Sequence, residues 1–545
     1  MLQLVNNNGY KWTSKDGVHF KGYFILNSDE TLHVYRNEEA CELIGNKSDF
    51  KDFVEFLKTI EGCWSVIVEK HDCTWMAVDI ARSMPLYYSR DGQYISDSAE
   101  VIRQSLNIAK EDVNKDALVE LAANYYLFGH KTVYSQIRQL ELGEAVLING
   151  NEIKELKYFY HINSIESKPV EEIKKQLTET IYRDFEKIKA VVGKRPVVLS
   201  MSGGYDSRLI GCMLKNVGIE DVSCYTYGKS DSFEVIQSKK NAEALGFRWK
   251  CVEMTDEWMS KQTDDTACRY LDSYNGHDFT AYMQNFPAVR KLEEEGWFKP
   301  NSVFLTGLCG DMPSGEYVYE RYEQIKHNVD TAAQRLFDDA FTRFNTSSQL
   351  KEKWEIDMRE QIKSLPIKVS DFQSWQTAVD CFYTGMCHAH WYMHMNRPHD
   401  FYGYEWLIPL WDSEYLKLWY SIPIKYRIEQ NLYEDWLLNT ICAPYGIGQK
   451  KTIGGYSRSE WKRKLQYTIG GIINFLLLNI GVPFKRKQDF NNFAPFELQL
   501  FKNIKSKKLV NYRRSGMMQL LDHFLIERRY GVENWKYFTE QTKAK

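Results

Sequence analysis

With 545 residues, 43% of them hydrophobic and 14% aromatic, the chain is long enough for two to four domains with sizeable cores. Lysine and arginine number 70 against 73 aspartates and glutamates, a formal net charge of −3 that argues against a partner held by bulk positive charge. The 32 glycines and 13 prolines are far too few for a low-complexity chain.

The opening residues, MLQLVNNNGYKW, lack the charged-then-apolar pattern of a signal peptide. The 11 cysteines form no CxxC pair and are odd in number, which suggests neither a zinc ribbon nor a disulfide framework. A cytoplasmic protein with reduced thiols is expected.

Residues 1–162 read as mostly β. Val18–Leu26, Thr31–Tyr35, Cys63–Glu69, Thr74–Asp79 and Gly92–Ile95 mix β-branched and aromatic residues with turn-like interruptions. Helical patterns fall at Asp49–Ile60 and Lys115–Asn124, and the polar stretch Ser164–Pro169 marks a boundary. Ile173, Leu177, Ile181, Phe185 and Ile188 then recur on one face of a helix. Arg195–Ser200 follows as a short apolar run with two valines, and Val222–Thr226 and Ser302–Thr306 resemble it, with helical segments between. Strands alternating with helices predict an α/β fold with a parallel sheet. Beyond about residue 318 the sequence predicts helices rich in Trp and Tyr and no strand. Residues 467–484 are apolar but too short to cross a membrane, with Gly470, Gly471, Asn474, Asn479 and Pro483 among them. They predict a buried or partner-facing helix, and no transmembrane segment is expected.

The most informative residues are Ser202-Gly203-Gly204-Tyr205-Asp206-Ser207, set between the Arg195–Met201 strand and a helical run from Arg208. Strand, glycine turn and helix make an anion site, because the glycines admit phosphate to the backbone and the helix N-terminus adds its positive end. Ser202 and Ser207 can donate hydroxyl bonds. Asp206 suits a magnesium ion bridging phosphates rather than phosphate itself. The nearby Gly228-Lys229-Ser230 imitates the end of a Walker A loop, but that motif needs glycine at position 223, which is Ser.

The SGGYDS loop resembles the PP-loop of ATP pyrophosphatases, and other segments resemble the asparagine synthetase family in family order. These are Tyr225–Gly228, Ser232–Gly246, Leu305–Asp311, Glu405–Asp412 (with Leu407 where the family has Arg), Ser421–Pro423, and Lys450-Lys451 ahead of Gly454-Gly455-Tyr456. The resemblance implies ATP and Mg2+ as cofactors. It implies ATP and pyrophosphate contacts at Met201, Ser202, Gly203, Gly204, Asp206, Ser207, Arg208, Tyr227, Thr306 and Gly307, and magnesium ligands at Asp206 and Asp311. Lys450 or Lys451 would be the active-site lysine, with the choice open. Arg208, where the family more often has Ser, is either a phosphate or substrate-acid contact or a helix-surface residue.

Phe50–Phe56, Glu61–Val66 and Asp79–Tyr88 (DIARSMPLYY) resemble the family's class II glutaminase domain. That domain uses an N-terminal Cys, whereas residue 2 is Leu and Cys41, Cys63 and Cys73 are internal. The resemblance thus divides the chain into a glutaminase-like α+β domain of the Ntn class without its nucleophile (1–162), a PP-loop synthetase domain (168–460) and a helical extension (461–545). It implies an AMP-forming carbon–nitrogen ligase that joins a small-molecule or glycan carboxylate to ammonia or an amine, and leaves a homodimer open. Asparagine synthetases proper have Glu at Leu308 and an acidic residue at Met312. Leu308 cannot hold a substrate ammonium, so a uronic acid of surface-polysaccharide synthesis is expected in preference to aspartate. The alternatives are a true asparagine synthase, a PP-loop enzyme that modifies tRNA, and a non-catalytic nucleotide-binding partner.

Overall fold

Five parallel strands form the sheet on which the glycine loop rests, in the order Arg248–Glu253, Val222–Gly228, Val197–Ser200, Val303–Leu305, Glu405–Leu407. The computed structural model describes residues 1–6, 8–27, 31–274, 276–340, 347–450, 469–470, 473–474, 476–483, 489–505, 507 and 517–531. Val197, Val198 and Leu199 are buried, as a central strand covered on both faces requires. The next strand in sequence, Val222–Gly228, lies on one side of Val197–Ser200, and Val303–Leu305 lies on the other, with Val197 opposite Val222 and Val303. This reversal of strand order opens a crevice beyond the carboxyl ends of the two strands, the usual ligand position in such sheets.

The two outer strands escaped the sequence pattern. Arg248–Glu253 is an edge with charged residues on it, and Glu405–Leu407 is three residues long, too short for a period to show. The expectation of no strand beyond residue 318 is corrected by the second. The predicted helix face is borne out: Ile173, Leu177, Ile181, Phe185 and Ile188 are all buried along the helix Val170–Val192.

The first half is antiparallel. A seven-stranded sheet contains Val18–Leu26, Ile60–Glu69, Thr74–Val78 and Glu144–Asn149, and a four-stranded sheet is formed by Leu2–Gln3, Ile95–Ser96, Tyr87–Ser89 and Ile137–Gln139. Ile67, Met76, Val78, Tyr88 and Ile95 pack between the two sheets. The other face of the larger sheet, through Phe20, Phe24, Val66 and Val68, covers the helices Asn37–Gly45 and Phe50–Leu57. Asp49 caps the second helix by accepting from Asp52 N at 2.9 Å. Two predicted strands are shorter than their residue types suggested. Thr31–Tyr35 gives way to Val34–Arg36, and Gly92, at φ +73°, turns the chain so that only Ile95–Ser96 pairs. In the 467–484 stretch, Leu478 is buried while Ile469, Ile473, Leu476 and Ile480 are exposed. Among the described residues no helix is long and apolar enough to cross a membrane.

The two halves meet over a buried charge cluster. Lys187 Nζ lies 2.6 Å from Asp412 Oδ2 and 3.8 Å from Asp184 Oδ1, and Glu61 accepts from Ser413 N at 3.0 Å. One lysine faces three carboxyls. Burial, and after it the charge of Asp412, pushes Glu61 up to about 8, and Asp184 is raised well above the carboxylate range for the same reasons. A folded-state pKa above the unfolded one favours folding below the unfolded pKa, and that stability is lost as pH rises towards 8. Glu61→Gln should therefore melt above wild type at pH 8, by on the order of 1 kcal/mol, with the gap closing near pH 5. Calorimetry at the two pH values checks this.

Candidate active site

Met201-Ser202-Gly203-Gly204 joins the Val197–Ser200 strand directly to the helix Tyr205–Asn216. The loop is braced from within. Ser207 Oγ accepts from Ser202 N at 3.1 Å, and Ser202 Oγ accepts from Gly204 N at 3.0 Å. From behind, Ser238 Oγ donates to the Met201 carbonyl at 2.6 Å. Gly204 stands at the N-cap and brings no capping oxygen, so the positive end of the helix faces the loop, as an anion site requires. The Met201 side chain is buried in the core, leaving its backbone to meet any ligand.

Asp206, in the first turn of that helix, and Asp311, which opens the helix Asp311–Ser314, converge across the crevice. Asp206 Oδ2 accepts from Asp311 N at 3.2 Å and Oδ1 accepts from the Tyr433 hydroxyl at 2.6 Å. Glycine at 310 permits the approach, since a Cβ there would lie 2.7 Å from Asp206 Oδ1. Gly307 backs on the same residue, with a Cβ position 3.2 Å from Asp206 Cβ. Burial, and then the like charge of Asp311, raises the Asp206 carboxyl well above its ordinary range. Glu316 adds a third carboxyl, pushed up to about 8 by burial and by Asp311 and Asp206. Carboxylate oxygens, with Asp206 held by neutral donors, are the kind of ligand that magnesium takes, one or two at a time.

The segment carrying Asp311 is pinned from its far side. Gln430 Nε2 donates to the Asp311 carbonyl at 3.1 Å and to Ser314 Oγ at 3.0 Å. Gly315, at φ +116°, admits the Arg427 carbonyl to where a Cβ would lie 1.8 Å away. Arg427 Nε donates to the Pro313 carbonyl at 2.8 Å. Tyr433, Gln430 and Glu316 were not anticipated from the sequence. They lie in or beside the region without strand rhythm, and no spacing marks them.

Arg208 is not a helix-surface residue. It is 1% exposed, and its terminal nitrogens donate to the carbonyls of Ile447 (3.0 Å), Gln449 (2.7 Å) and Gly203 (3.2 Å). It thus ties the segment leading into Lys450 to the glycine loop. Lys450 is exposed and pairs with Glu434 at 2.6 Å. Lys451 and Gly454-Gly455-Tyr456 lie outside the described residues. Tyr227 is half-buried at the end of its strand, and Thr306 is buried with Oγ1 donating to Asn396 Oδ1 at 3.0 Å. Leu308 and Met312 are buried, and the Met312 sulfur accepts from Thr384 Oγ1 (3.2 Å) and the Tyr420 hydroxyl (3.3 Å). Cys309 Sγ lies 2.5 Å from His388 Nδ1, and burial and Asp311 raise the thiol well above its usual range. It is a hydrogen-bond donor rather than a thiolate.

Residues 188–445 match the family model described as asparagine synthase. The part of the chain that builds this site is therefore similar to the asparagine synthase family, over a little less than half of the chain. No curated protein matches the chain. Solved structures similar to it include the glutamine phosphoribosylpyrophosphate amidotransferase of B. subtilis complexed with ADP and GMP, at 11% identity over 54% of this chain and 63% of that one, TM-score 0.18. A glutamine-dependent NAD+ synthetase from Acinetobacter baumannii in complex with ADP is 14% identical over 54% of this chain and 59% of that one, TM-score 0.17. The U34-tRNA thiolase NcsA of Methanococcus maripaludis is 13% identical over 42% of this chain and 76% of that one, TM-score 0.18. The chain spans less than two thirds of the length of the B. subtilis amidotransferase. Likeness at these scores bears on neither ligand nor activity.

Asp206→Asn removes one of the converging charges. The variant should melt above wild type at pH 8 without ligand, and should lose the further rise in melting temperature that ATP with Mg2+ gives wild type. A thermal-shift titration reads both effects, and their opposite signs separate a ligand-binding carboxylate from a structural one.

Proposed function

We propose that the protein is an ATP-dependent ligase that adenylates a carboxylate, releases pyrophosphate, and passes the acyl group to ammonia or an amine. The observation that supports it best is the convergence of Asp206 and Asp311 at the mouth of the glycine loop, within a segment similar to the asparagine synthase family. In this reading a carboxylate oxygen attacks the α-phosphorus of ATP, the bond to the bridging oxygen breaks, and pyrophosphate leaves on the Ser202–Ser207 loop. The amine nitrogen then attacks the acyl carbon, AMP departs, and the nitrogen loses its proton. Magnesium held by Asp206 and Asp311 would neutralise phosphate charge. Lys450, which pairs with Glu434 and follows the Gln449 carbonyl held by Arg208, or its neighbour Lys451, would stabilise negative charge as it develops.

The proposed division follows the sequence: a glutaminase-like domain over 1–162, a synthetase domain over 168–460 and an extension over 461–545, working in the cytoplasm. Cys41 and Cys63 are buried with their thiols raised, to about 11 for Cys41, which makes them poor nucleophiles. Free ammonia or an amine is therefore the proposed nitrogen source. The apolar wall at Leu308 favours an acid without an α-ammonium, such as a uronic acid. Glu316 supports a second reading, because its carboxyl could receive the ammonium of aspartate.

Product analysis and pyrophosphate exchange test the proposal. AMP and pyrophosphate are the expected products, Asp311→Ala should release none, and ADP with phosphate would sink the assignment. Lys450→Ala should slow turnover on the order of 100-fold, with Lys450→Arg in between. Comparing glucuronate with aspartate decides the acceptor: AMP formation with aspartate that is lost in Glu316→Gln favours the second reading.

A further inference from the structure

A cavity of about 360 Å3 lies between the antiparallel half and the segments 273–279 and 394–400, and shares no lining residue with the carboxylate site. Its size falls in the range of small-molecule sites. Lys21, from the strand Val18–Leu26, lines it and is 7% exposed. Its ammonium carries three N–H donors; among the described residues it donates to the Asn6 carbonyl, at 2.5 Å, lies 6.0 Å from the centre of the Trp12 ring, and enters no ion pair. The carboxylates of the same walls are occupied. Asp97 accepts from Val5 N (2.9 Å), Asn6 N (3.0 Å) and Trp12 Nε1 (2.7 Å), and Asp400 accepts from Arg397 (2.6 Å) and Trp406 Nε1 (2.8 Å).

His394 also lines the cavity but is fully buried, its Nδ1 accepting from Arg397 Nε at 3.1 Å. A buried ammonium without a counter-charge is costly. Burial accordingly lowers the Lys21 pKa, while the fields of Asp400 and Asp97 oppose that fall and favour the charged form.

We propose that this cavity binds a small organic carboxylate, whose oxygens take the N–H groups of Lys21 while its hydrocarbon part rests on Tyr10, Tyr274 and Phe279. The proposal does not depend on the ATP site. Calorimetric titration of the full chain with acetate, succinate and phenylacetate, each beside its neutral amide, tests it. At least one acid should bind one-to-one and its amide should not. Lys21→Met should weaken binding tenfold or more, and Asp206→Asn should leave it unchanged. Lys21→Met without ligand should melt no lower than wild type, because an unpaired charge is removed. Binding to none of the three acids would overturn the proposal, as would equal binding of an acid and its amide. Where Lys21→Met does not fold, Lys21→Gln takes its place, and unaltered affinity in the folded Lys21 variant overturns the proposal equally.

Discussion

Two carboxylates of like charge, Asp206 and Asp311, are held together across the end of a parallel sheet, and the surrounding structure answers to that constraint. Repulsion and lost hydration both oppose such a pair. It persists because the two strands that deliver it, Val197–Ser200 and Val303–Leu305, are hydrogen-bonded neighbours whose ends cannot drift apart. The glycines at 307 and 310 remove the side chains that would keep the loops apart. Tyr433 and the Asp311 amide satisfy Asp206 without neutralising it.

The helix Asn431–Trp436 links Asp206 to Lys450. Adjacent residues of that helix, Tyr433 and Glu434, hold Asp206 and Lys450 respectively. Arg208 closes the same connection from the other side, since one guanidinium grips carbonyls both in the glycine loop and just ahead of Lys450. A single planar fork of donors can do this, whereas the serine more common in the family is too short to reach two chain segments. The positions of the loop and of the lysine segment are therefore coupled.

Two buried lysines show opposite solutions to the same electrostatic problem. Lys187 is surrounded by more acid than it can neutralise, and the surplus is relieved by raised carboxyl pKa values at the seam. Lys21 is buried with carboxylates nearby that are already engaged, and it enters no ion pair among the described residues. The first arrangement holds the two halves in register, and the second leaves an unmet requirement beside a cavity.

The sequence by itself determined whatever depends on near neighbours. Val18–Leu26 and Lys115–Asn124 form the elements their residue types and spacing announce, and the strand, glycine turn and helix around Ser202–Ser207 follow from local backbone chemistry. The order of motifs along the chain pointed to the family that residues 188–445 match. Tertiary structure alone decided the rest. Arg208 meets Gln449 across 241 positions and Tyr433 meets Asp206 across 227, distances over which no local period carries information. Glu316 became part of the site, and Glu405–Leu407 became a strand, only because the folded sheet placed them there. A side chain's partner is chosen by packing between distant segments, whereas a helix or turn is chosen by the few residues that make it.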